Sequence, residues 1–249
     1  MRPPLVQALG PAQLVVAQCA STIALSPRRA QCRSPGDTEP RRLGAMPGLE
    51  FWCEIASTYT YLAAMRIDAL ADAAGVDVHW RPFSLGPIFA AAGWSTSPFE
   101  IYPDKGRYMW RDVERDAEML GIAMRRPSVF PRNSVLVSRV ALFGVERGWG
   151  ARFVRAALVA NFADDRDIAA PEVIDDLLAG LDLDGPALRA EAEGPGYRPA
   201  LRAATQRAVA QRIFGAPTFM VGDEMFWGND RLERALAWAR SPGARGPAA

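Results

Sequence analysis

Residues 214–231 read FGAPTFMVGDEMFWGNDR, and this stretch decides the fold. The pattern predicts a helix end, a proline turn, a short apolar strand, an acidic turn and a second strand, with Asn229 and Asp230 capping a final helix. A proline that opens a strand after a glycine predicts a cis bond between Ala216 and Pro217, and such bonds are rare enough to indicate a nearby site. The turn leaves the backbone of Ala216 available to pair with an extended ligand, as an edge strand would.

The composition of the 249-residue chain is ordinary for a soluble globular protein. Apolar residues make up 49% and charged residues 23%, and the length suits one or two domains. A net charge of +1 gives no reason to expect a nucleic acid or a membrane surface as partner. Cys19, Cys32 and Cys53 match neither a zinc site nor a disulfide framework, and a single histidine, His79, argues against a Ser-His-Asp triad. We therefore expect no metal.

Residues 1–45 differ from the rest of the chain, with six arginines, six prolines and two acidic residues. The apolar stretch 5–25 is interrupted by proline and glutamines, which makes it a poor membrane span. We expect a disordered extension here, with the folded protein beginning near Met46, and a disordered tail at 242–249. A targeting segment and a functional tail are the alternatives for the extension.

The first folded segment predicts a strand, a helix and a second strand. Residues 49–56 form a mostly apolar run that suits a strand buried on both faces. Ser57 and Thr58 cap a predicted helix over 59–74, and a strand is predicted over 76–83. Together these elements make a βαβ unit.

Helices dominate the chain between this unit and the final strands. They are predicted, between Gly, Pro and Asp breaks, over 104–120, 133–147, 150–162, 171–181, 185–193 and 198–214, with a last one over 230–240. The order βαβ, helical block, ββα predicts an α/β fold, a thioredoxin-like domain with a large all-helical insertion. The first part of that domain is 46–84, the insertion is 85–197 and the second part is 198–241.

Chemistry is expected where the first strand turns into the first helix, and Ser57 occupies that position. A helix N-terminus offers free N–H groups and a partial positive charge, which favour an anion. A serine hydroxyl there can donate a hydrogen bond to a bound thiolate and lower the pKa of that thiol, although it cannot exchange disulfides. A plain helix cap is the alternative interpretation of Ser57.

Asn229 and Asp230, at the start of the last helix, suit an amino-acid head group. Amide and N–H groups would take its carboxylate and Asp230 its ammonium, as in the γ-glutamyl end of glutathione. A structural cap is the alternative for this pair.

Two further groups of polar residues are candidates for ligand contacts. Lys105, the only lysine, lies on a charged helix stripe, which is either a solvated face or a cationic wall for a carboxylate substrate. Arg132, Asn133 and Ser134 end a loop and are candidates for polar contacts with an aromatic acid. A simple turn and helix cap is the alternative for these three residues.

Three stretches of the chain resemble the 2-hydroxychromene-2-carboxylate isomerase family, which belongs with the kappa-class glutathione transferases and the DsbA-like proteins. They are LEFWCEIASTYTYLA at 49–63, KGRYMWRD at 105–112, and FGAPT and WGNDR within 214–231. The resemblance spans residues 47–241. It implies a cytoplasmic, glutathione-dependent isomerase that acts on an aromatic acid in the breakdown of aromatic hydrocarbons, and it makes homodimerisation an expectation.

The resemblance also implies roles for single residues in binding glutathione. Ser57 would activate the thiol, Ala216 and Pro217 would present the backbone that pairs with the tripeptide, and Lys105 matches a basic position near the ligand. The γ-glutamyl end would be recognised by Trp227, Gly228, Asn229 and Asp230.

The substrate side of the resemblance is carried by Asn133 and Ser134, which fall near the family's contact with the aromatic substrate. The chain departs from the family pattern at Thr58, where proline usually follows the serine, and at 93–94, where Gly-Trp stands in place of a common asparagine. A kappa-class-like glutathione transferase and a redox-inactive glutathione-binding protein are the alternative functions.

Overall fold

The computed structural model of the chain describes residues 48–241, so the extension expected at 1–45 and the tail expected at 242–249 lie outside the described residues. Four strands form one mixed sheet in the order β2-β1-β3-β4. The strands are β1 Gly48–Cys53, β2 Asp77–Pro82, β3 Thr218–Val221 and β4 Glu224–Trp227. β1 pairs parallel with β2 and antiparallel with β3, and β3 pairs antiparallel with β4.

Eleven α-helices accompany the sheet within residues 48–241. They are α1 Thr58–Ala64, α2 Ile67–Ala74, α3 Gly86–Ala91, α4 Pro98–Ile101, α5 Pro103–Leu120, α6 Val135–Glu146, α7 Gly150–Phe162, α8 Pro171–Ala179, α9 Gly185–Glu193, α10 Arg198–Ala210 and α11 Leu232–Ala239. A 3₁₀ turn at Asn229–Arg231 links β4 to α11. None of the helices in this part of the chain is both long and apolar enough to span a membrane.

β1 is one of the two inner strands of the sheet, and its apolar side chains are buried on both faces. Phe51 and Cys53 join the main core, where the Phe51 ring packs edge-on to Trp80 at 4.8 Å and stacks on Phe219 at 5.4 Å. Trp52 points to the opposite face and joins a smaller apolar cluster, as the alternation of a strand requires. Because β1 is held in the core on both faces, the residues that follow it, from Glu54 to Ser57, have a fixed position at the end of the strand.

The predicted thioredoxin-like arrangement is confirmed. Strands from the two ends of the described chain complete one sheet, and residues 85–197 carry α3 to α9 with no strand among them. The bond between Ala216 and Pro217 is cis, as predicted. A second cis bond, between Phe130 and Pro131, was not predicted.

The prediction of one continuous helix over 59–74 is wrong, because the structure divides it into α1 and α2 at Met65 and Arg66. The Arg66 N–H bonds three residues back along the chain, which tightens the end of α1. Its guanidinium donates to Asn229 Oδ1 at 2.8 Å and to Glu233 Oε1 at 2.5 Å. These contacts are made over a long sequence separation, so nothing within 59–74 marks the break.

Two other features of the helices differ from the sequence interpretation. The short helices α3 and α4 were not predicted, and α10 ends at Ala210 instead of continuing to residue 214. There Arg212 adopts a φ of 60°, and the Ile213 N–H bonds to the Ala208 carbonyl at 2.9 Å. A residue in the left-handed region with such a bond ends a helix, and the chain then turns towards Pro217.

Candidate active site

Ser57 connects the first helix to the proline turn. Its backbone is extended at the N-cap of α1, and its Oγ accepts the Thr60 N–H at 3.3 Å. The same hydroxyl donates to the Ala216 carbonyl oxygen at 3.1 Å. The side chain therefore caps the helix and also touches the proline turn, although the two segments are 159 residues apart in sequence.

Thr58 does not offer a second hydroxyl at this point. Its side chain is buried in the core, with 1% of the residue exposed, and its Oγ1 donates to the Met109 Sδ at 3.3 Å. Ser57 is thus the residue of this pair whose hydroxyl faces the proline turn.

A cavity of about 440 Å³ opens beside Ser57, and we call it the aromatic cavity. Its apolar wall includes Phe89, Trp94, Phe99 and Phe130. Its polar lining includes Glu54, Ser57, Asn133 and Ser134. The structure therefore brings the two predicted substrate residues into the same cavity as the predicted catalytic serine.

Arg132 is not available to a ligand in the aromatic cavity, although the sequence made it a candidate. Its guanidinium is almost fully buried and bonds to Asp165 Oδ1 at 2.5 Å and to Asn161 Oδ1 at 2.9 Å. The Ser128 backbone N–H, followed by the Arg132 guanidinium, lowers the pKa of Asp165 to about 2. Arg132 therefore anchors the loop that carries Asn133, and it is the sole basic residue among the described residues that line this cavity.

A second cavity of about 840 Å³ lies next to the first, and we call it the charged cavity. Its lining includes Lys105, Asp112, Asp116, Trp227, Gly228, Asn229 and Asp230. Phe99 lines both cavities, so the two meet at this residue. The residues predicted to hold the γ-glutamyl end and Lys105 are thus together, separate from Asn133 and Ser134.

Lys105 belongs to the charged cavity and not to the aromatic one. Its Nζ lies 4.8 Å from the centre of the Tyr102 ring, a cation–π contact. Tyr108 and Asp112, three and seven residues further along α5, line the same cavity. The stripe therefore faces the region of Asn229, and it is not a cationic wall of the aromatic cavity.

Asn229 is buried and its side chain already has partners. Its Oδ1 accepts the Arg66 Nη2 at 2.8 Å, and its Nδ2 donates to Asp116 Oδ2 at 3.3 Å. Asp230 is exposed and pairs with Arg231. Asn229 thus holds the 3₁₀ turn against α2 and α5, while the Asp230 carboxylate remains at the surface of the cavity.

Trp227 covers the glycine that precedes Ala216. A Cβ atom added to Gly215 would lie 2.4 Å from the Trp227 Nε1, so a side chain at that position would collide with the indole. The Trp227 ring also packs edge-on to Phe214 at 4.9 Å. The Gly228 N–H donates to the Pro217 carbonyl at 2.9 Å, which ties the start of the 3₁₀ turn to the proline turn.

Two carboxylates in the charged cavity were missed as site residues from the sequence. Asp116 is partly buried, and burial followed by the nearby Asp112 raises its pKa. Asp112 Oδ2 accepts the Tyr59 hydroxyl at 3.0 Å, and burial followed by this bond raises the pKa of Tyr59. The signal that could have found the pair is the i, i+4 spacing of the two aspartates on α5.

Glu54 is the other residue that the sequence interpretation missed. It is 5% exposed and lies in the floor of the aromatic cavity, three positions before Ser57. Its Oε1 accepts the Ser134 hydroxyl at 2.5 Å and its Oε2 accepts the Leu85 N–H at 2.8 Å. Burial raises the pKa of this carboxyl. An acidic residue directly after a mostly apolar strand is the signal that could have identified it.

Known proteins resemble this chain in sequence and in fold. An isomerase of Sphingobium xenophagum named 2-hydroxychromene-2-carboxylate isomerase is 28% identical over 186 residues, which cover 74% of this chain and 94% of the relative. A solved structure of 2-hydroxychromene-2-carboxylate isomerase superposes with a TM-score of 0.71 at 23% identity, over 81% of this chain and all of that one. A cytosolic disulfide reductase of Pseudomonas aeruginosa, solved with GSH, superposes with a TM-score of 0.52 at 18% identity, over 77% of this chain and 95% of that one.

A family model covers nearly the whole described chain. It is that of the DSBA-like thioredoxin domain, and it matches residues 48–237. This range begins in β1 and ends within α11, so it includes the sheet, the helical insertion and both cavities. The chain belongs to the family of DSBA-like thioredoxin domains.

Proposed function

We propose that this protein is a glutathione-dependent isomerase that acts on an unsaturated aromatic carboxylate. The observation that carries the proposal is the hydrogen bond of 3.1 Å from the Ser57 hydroxyl to the Ala216 carbonyl. It supports a role for this hydroxyl at the meeting point of the proline turn and the aromatic cavity. The similarity to relatives named as isomerases supports the reaction class.

The charged cavity fits the zwitterionic end of glutathione. Asp112 and Asp116 provide negative charge for an ammonium group, and Lys105 in the same cavity provides a cation for a carboxylate. The backbone of Ala216 suits the middle of a tripeptide, because an extended peptide can pair with it as an added strand. The GSH found in a structure of the same fold supports this type of ligand.

The Ser57 hydroxyl has one proton to donate, and we expect it to go to the sulfur of bound glutathione. When bound, glutathione would supply a thiolate that adds reversibly to a conjugated double bond; the addition leaves a single bond there, which can rotate before the thiolate departs and the double bond returns. The Ser57 hydroxyl now donates to Ala216, and we expect it to turn to the ligand sulfur while its oxygen keeps the Thr60 N–H. A hydroxyl that donates to the thiolate stabilises the charged form and lowers the pKa of the thiol.

The aromatic cavity would hold the ring of the substrate. Its four aromatic side chains exclude water from the reacting bond, and Asn133 and Ser134 provide polar contacts at one end. Asn133 is exposed and its Oδ1 accepts the Val135 N–H at 2.9 Å, which leaves its amide N–H groups for a carboxylate at the mouth. From the family resemblance we also expect a cytoplasmic homodimer.

Substitution of the serine tests this proposal. We expect Ser57→Ala to lower turnover of the chromene carboxylate by about 10²-fold, the usual effect of removing one key donor to an anion. Asp184→Ala is the matched control, because Asp184 caps α9 by accepting the Ala187 N–H at 3.1 Å, far from both cavities in sequence. Both variants lose a helix cap, which costs roughly 1 kcal/mol, so a difference in turnover reports on chemistry. Equal turnover in Ser57→Ala and wild type would refute the assignment.

The alternative functions differ in what happens to glutathione. An isomerase works with catalytic amounts, a transferase consumes one molecule per turnover, and a binding protein shows heat of binding in calorimetry without turnover. Measuring product against glutathione added at one tenth of the substrate concentration separates these outcomes.

A further inference from the structure

Glu54 is a buried acid without a cationic partner. Within residues 48–241, no lysine, arginine or histidine forms an ion pair with it, and its hydrogen-bond donors are the Ser134 hydroxyl, at 2.5 Å, and backbone N–H groups. A buried carboxylate without a counter-charge is costly, so the neutral form is favoured, and burial raises the pKa of this carboxyl accordingly.

The groups that face Glu54 do not supply a charge. Cys53, the preceding residue, is fully buried, and burial raises the pKa of its thiol, so it remains neutral. Arg132 lines the same cavity, but its guanidinium is bonded to Asp165 and Asn161. Leu85 contributes a backbone N–H.

The Ser134 hydroxyl points to Glu54 and not to the helix that Ser134 begins. It occupies the N-cap of α6, where a serine side chain usually accepts a helix N–H, yet it makes no such bond. The Val135 N–H is taken instead by Asn133 Oδ1, and the Ser134 hydroxyl is directed to Glu54. Ser134 also lines the aromatic cavity, so it lies between the buried acid and any substrate there.

The proposed reaction places negative charge on an oxygen of the substrate, and Ser134 with Glu54 can neutralise it. Attack at one end of a double bond conjugated to a carbonyl moves an electron pair onto the carbonyl oxygen, which becomes negative. Among the described residues that line the aromatic cavity, no basic side chain is free to neutralise that charge, since Arg132 is engaged. A neutral proton donor in the cavity wall would meet this need.

We propose that Glu54 and Ser134 form a proton-donating pair for the substrate oxygen, an inference that rests on the proposed function. In the neutral pair the carboxyl proton lies on Glu54 Oε1 and points to the Ser134 oxygen 2.5 Å away, which frees the Ser134 proton for the substrate. As the C–S bond forms, Ser134 gives its proton to the carbonyl oxygen and takes the carboxyl proton of Glu54. When the C–S bond breaks and the double bond returns, the oxygen gives its proton back to Ser134 and Ser134 returns one to Glu54. Ser134 meets the substrate, and Glu54 acts through it, so no proton or electron is gained or lost overall.

The test compares wild type with Glu54→Gln and with the control Glu50→Gln. Glutamine keeps an oxygen that can accept the Leu85 N–H but has no acidic proton. Glu50 lies on β1 and pairs with Arg81 at 2.8 Å, so its amide variant changes an acid on the same strand outside both cavities. We expect Glu54→Gln to lower kcat by roughly 10²-fold with little change in KM, and Glu50→Gln to match wild type. If Glu54 donates the proton, kcat should fall as the pH rises past the raised pKa of Glu54, and this fall should disappear in Glu54→Gln.

A second measurement does not depend on turnover. Infrared difference spectra of wild type at neutral pH should contain the C=O stretch of a protonated carboxylic acid that shifts in D₂O and is missing in Glu54→Gln. If wild type does not isomerise the substrate with glutathione, the proposed function fails and the role in turnover fails with it, whatever the spectrum shows. If wild type is active, either equal kcat in Glu54→Gln or the absence of the acid band would overturn the proton-donating pair alone.

Discussion

Alanine at Gly215 should displace the Trp227 indole and weaken both the fold and the binding of glutathione. The added Cβ would lie 2.4 Å from the indole nitrogen, about 1 Å inside ordinary van der Waals contact. Gly215 is not among the described residues with positive φ, so its backbone accepts alanine and the effect is steric. Because Trp227 is 53% exposed, its ring can swing outwards, which makes the low end of the overpacking cost appropriate.

The expected magnitude has two parts. Moving the indole ends its edge-on packing with Phe214, worth about 0.5–1.5 kcal/mol, and leaves residual strain of about 1 kcal/mol. We therefore expect a loss of roughly 1.5–2.5 kcal/mol in the free energy of unfolding, or about 3–10 °C in Tm for a domain of this size. Since Trp227 lines the charged cavity, the Kd for glutathione should rise as well.

The assay is a double-mutant cycle followed by urea unfolding and by calorimetry with glutathione. Gly215→Ala is measured alone and in a Trp227→Ala background, where the collision is absent and the alanine should cost almost nothing. Gly196→Ala is the control, because no atom lies within 4 Å of a Cβ at that position. If Gly215→Ala costs the same with and without Trp227, the collision is not the cause and the reasoning is refuted.

Three other substitutions probe the architecture of the site. Gly106→Ala should cost about 2–3 kcal/mol in urea unfolding, more than Gly215→Ala, because its Cβ would meet the Phe99 carbonyl oxygen of the backbone at 2.3 Å; a cost below 1 kcal/mol would contradict this. Asn229→Ala removes the partner of both Arg66 and Asp116 and should cost about 2 kcal/mol, and an unchanged urea midpoint would show that these bonds do not stabilise the fold. Asp165→Asn concerns acid stability: the folded pKa of about 2 lies below the ordinary 3.8, so the carboxylate stabilises the fold above pH 4 and that contribution is lost as the pH falls towards 2. The variant should therefore show a smaller loss of Tm over that pH range, and an identical pH profile would argue against the effect.

The sequence predicted the parts of the fold that are encoded locally. The apolar run of β1, the acidic turn between β3 and β4 and the proline turn at Ala216 and Pro217 each have a short signature, and all three are present. The break at Arg66 has no such signature, because its cause is a set of bonds to Asn229 and Glu233 more than 160 positions away. Local patterns carry no information about such partners.

The difference between local signatures and long-range contacts also explains which features of the site were predicted and which were missed. Ser57 was identified because a serine at a strand-to-helix turn has a recognisable position. Glu54 and Ser134 became a pair only when the fold joined residues 80 positions apart, and the diversion of the Ser134 hydroxyl from its helix depends on Asn133 taking the N–H at its start. Phe99, the residue shared by the two cavities, likewise lies on α4, a helix that the sequence did not predict.

The place of protonation decides between an isomerase and a transferase, and it can be measured by isotope. If Ser134 and Glu54 deliver a proton to the substrate oxygen, the carbon next to the carbonyl is never protonated, and the C–S bond can break again. A transferase must instead protonate that carbon to trap the conjugate. We therefore expect the isomerised product made in D₂O to carry no deuterium at that carbon when analysed by NMR. Deuterium there would mean that the proton goes to carbon, and the oxygen-directed role of the pair would then be wrong even in an active enzyme.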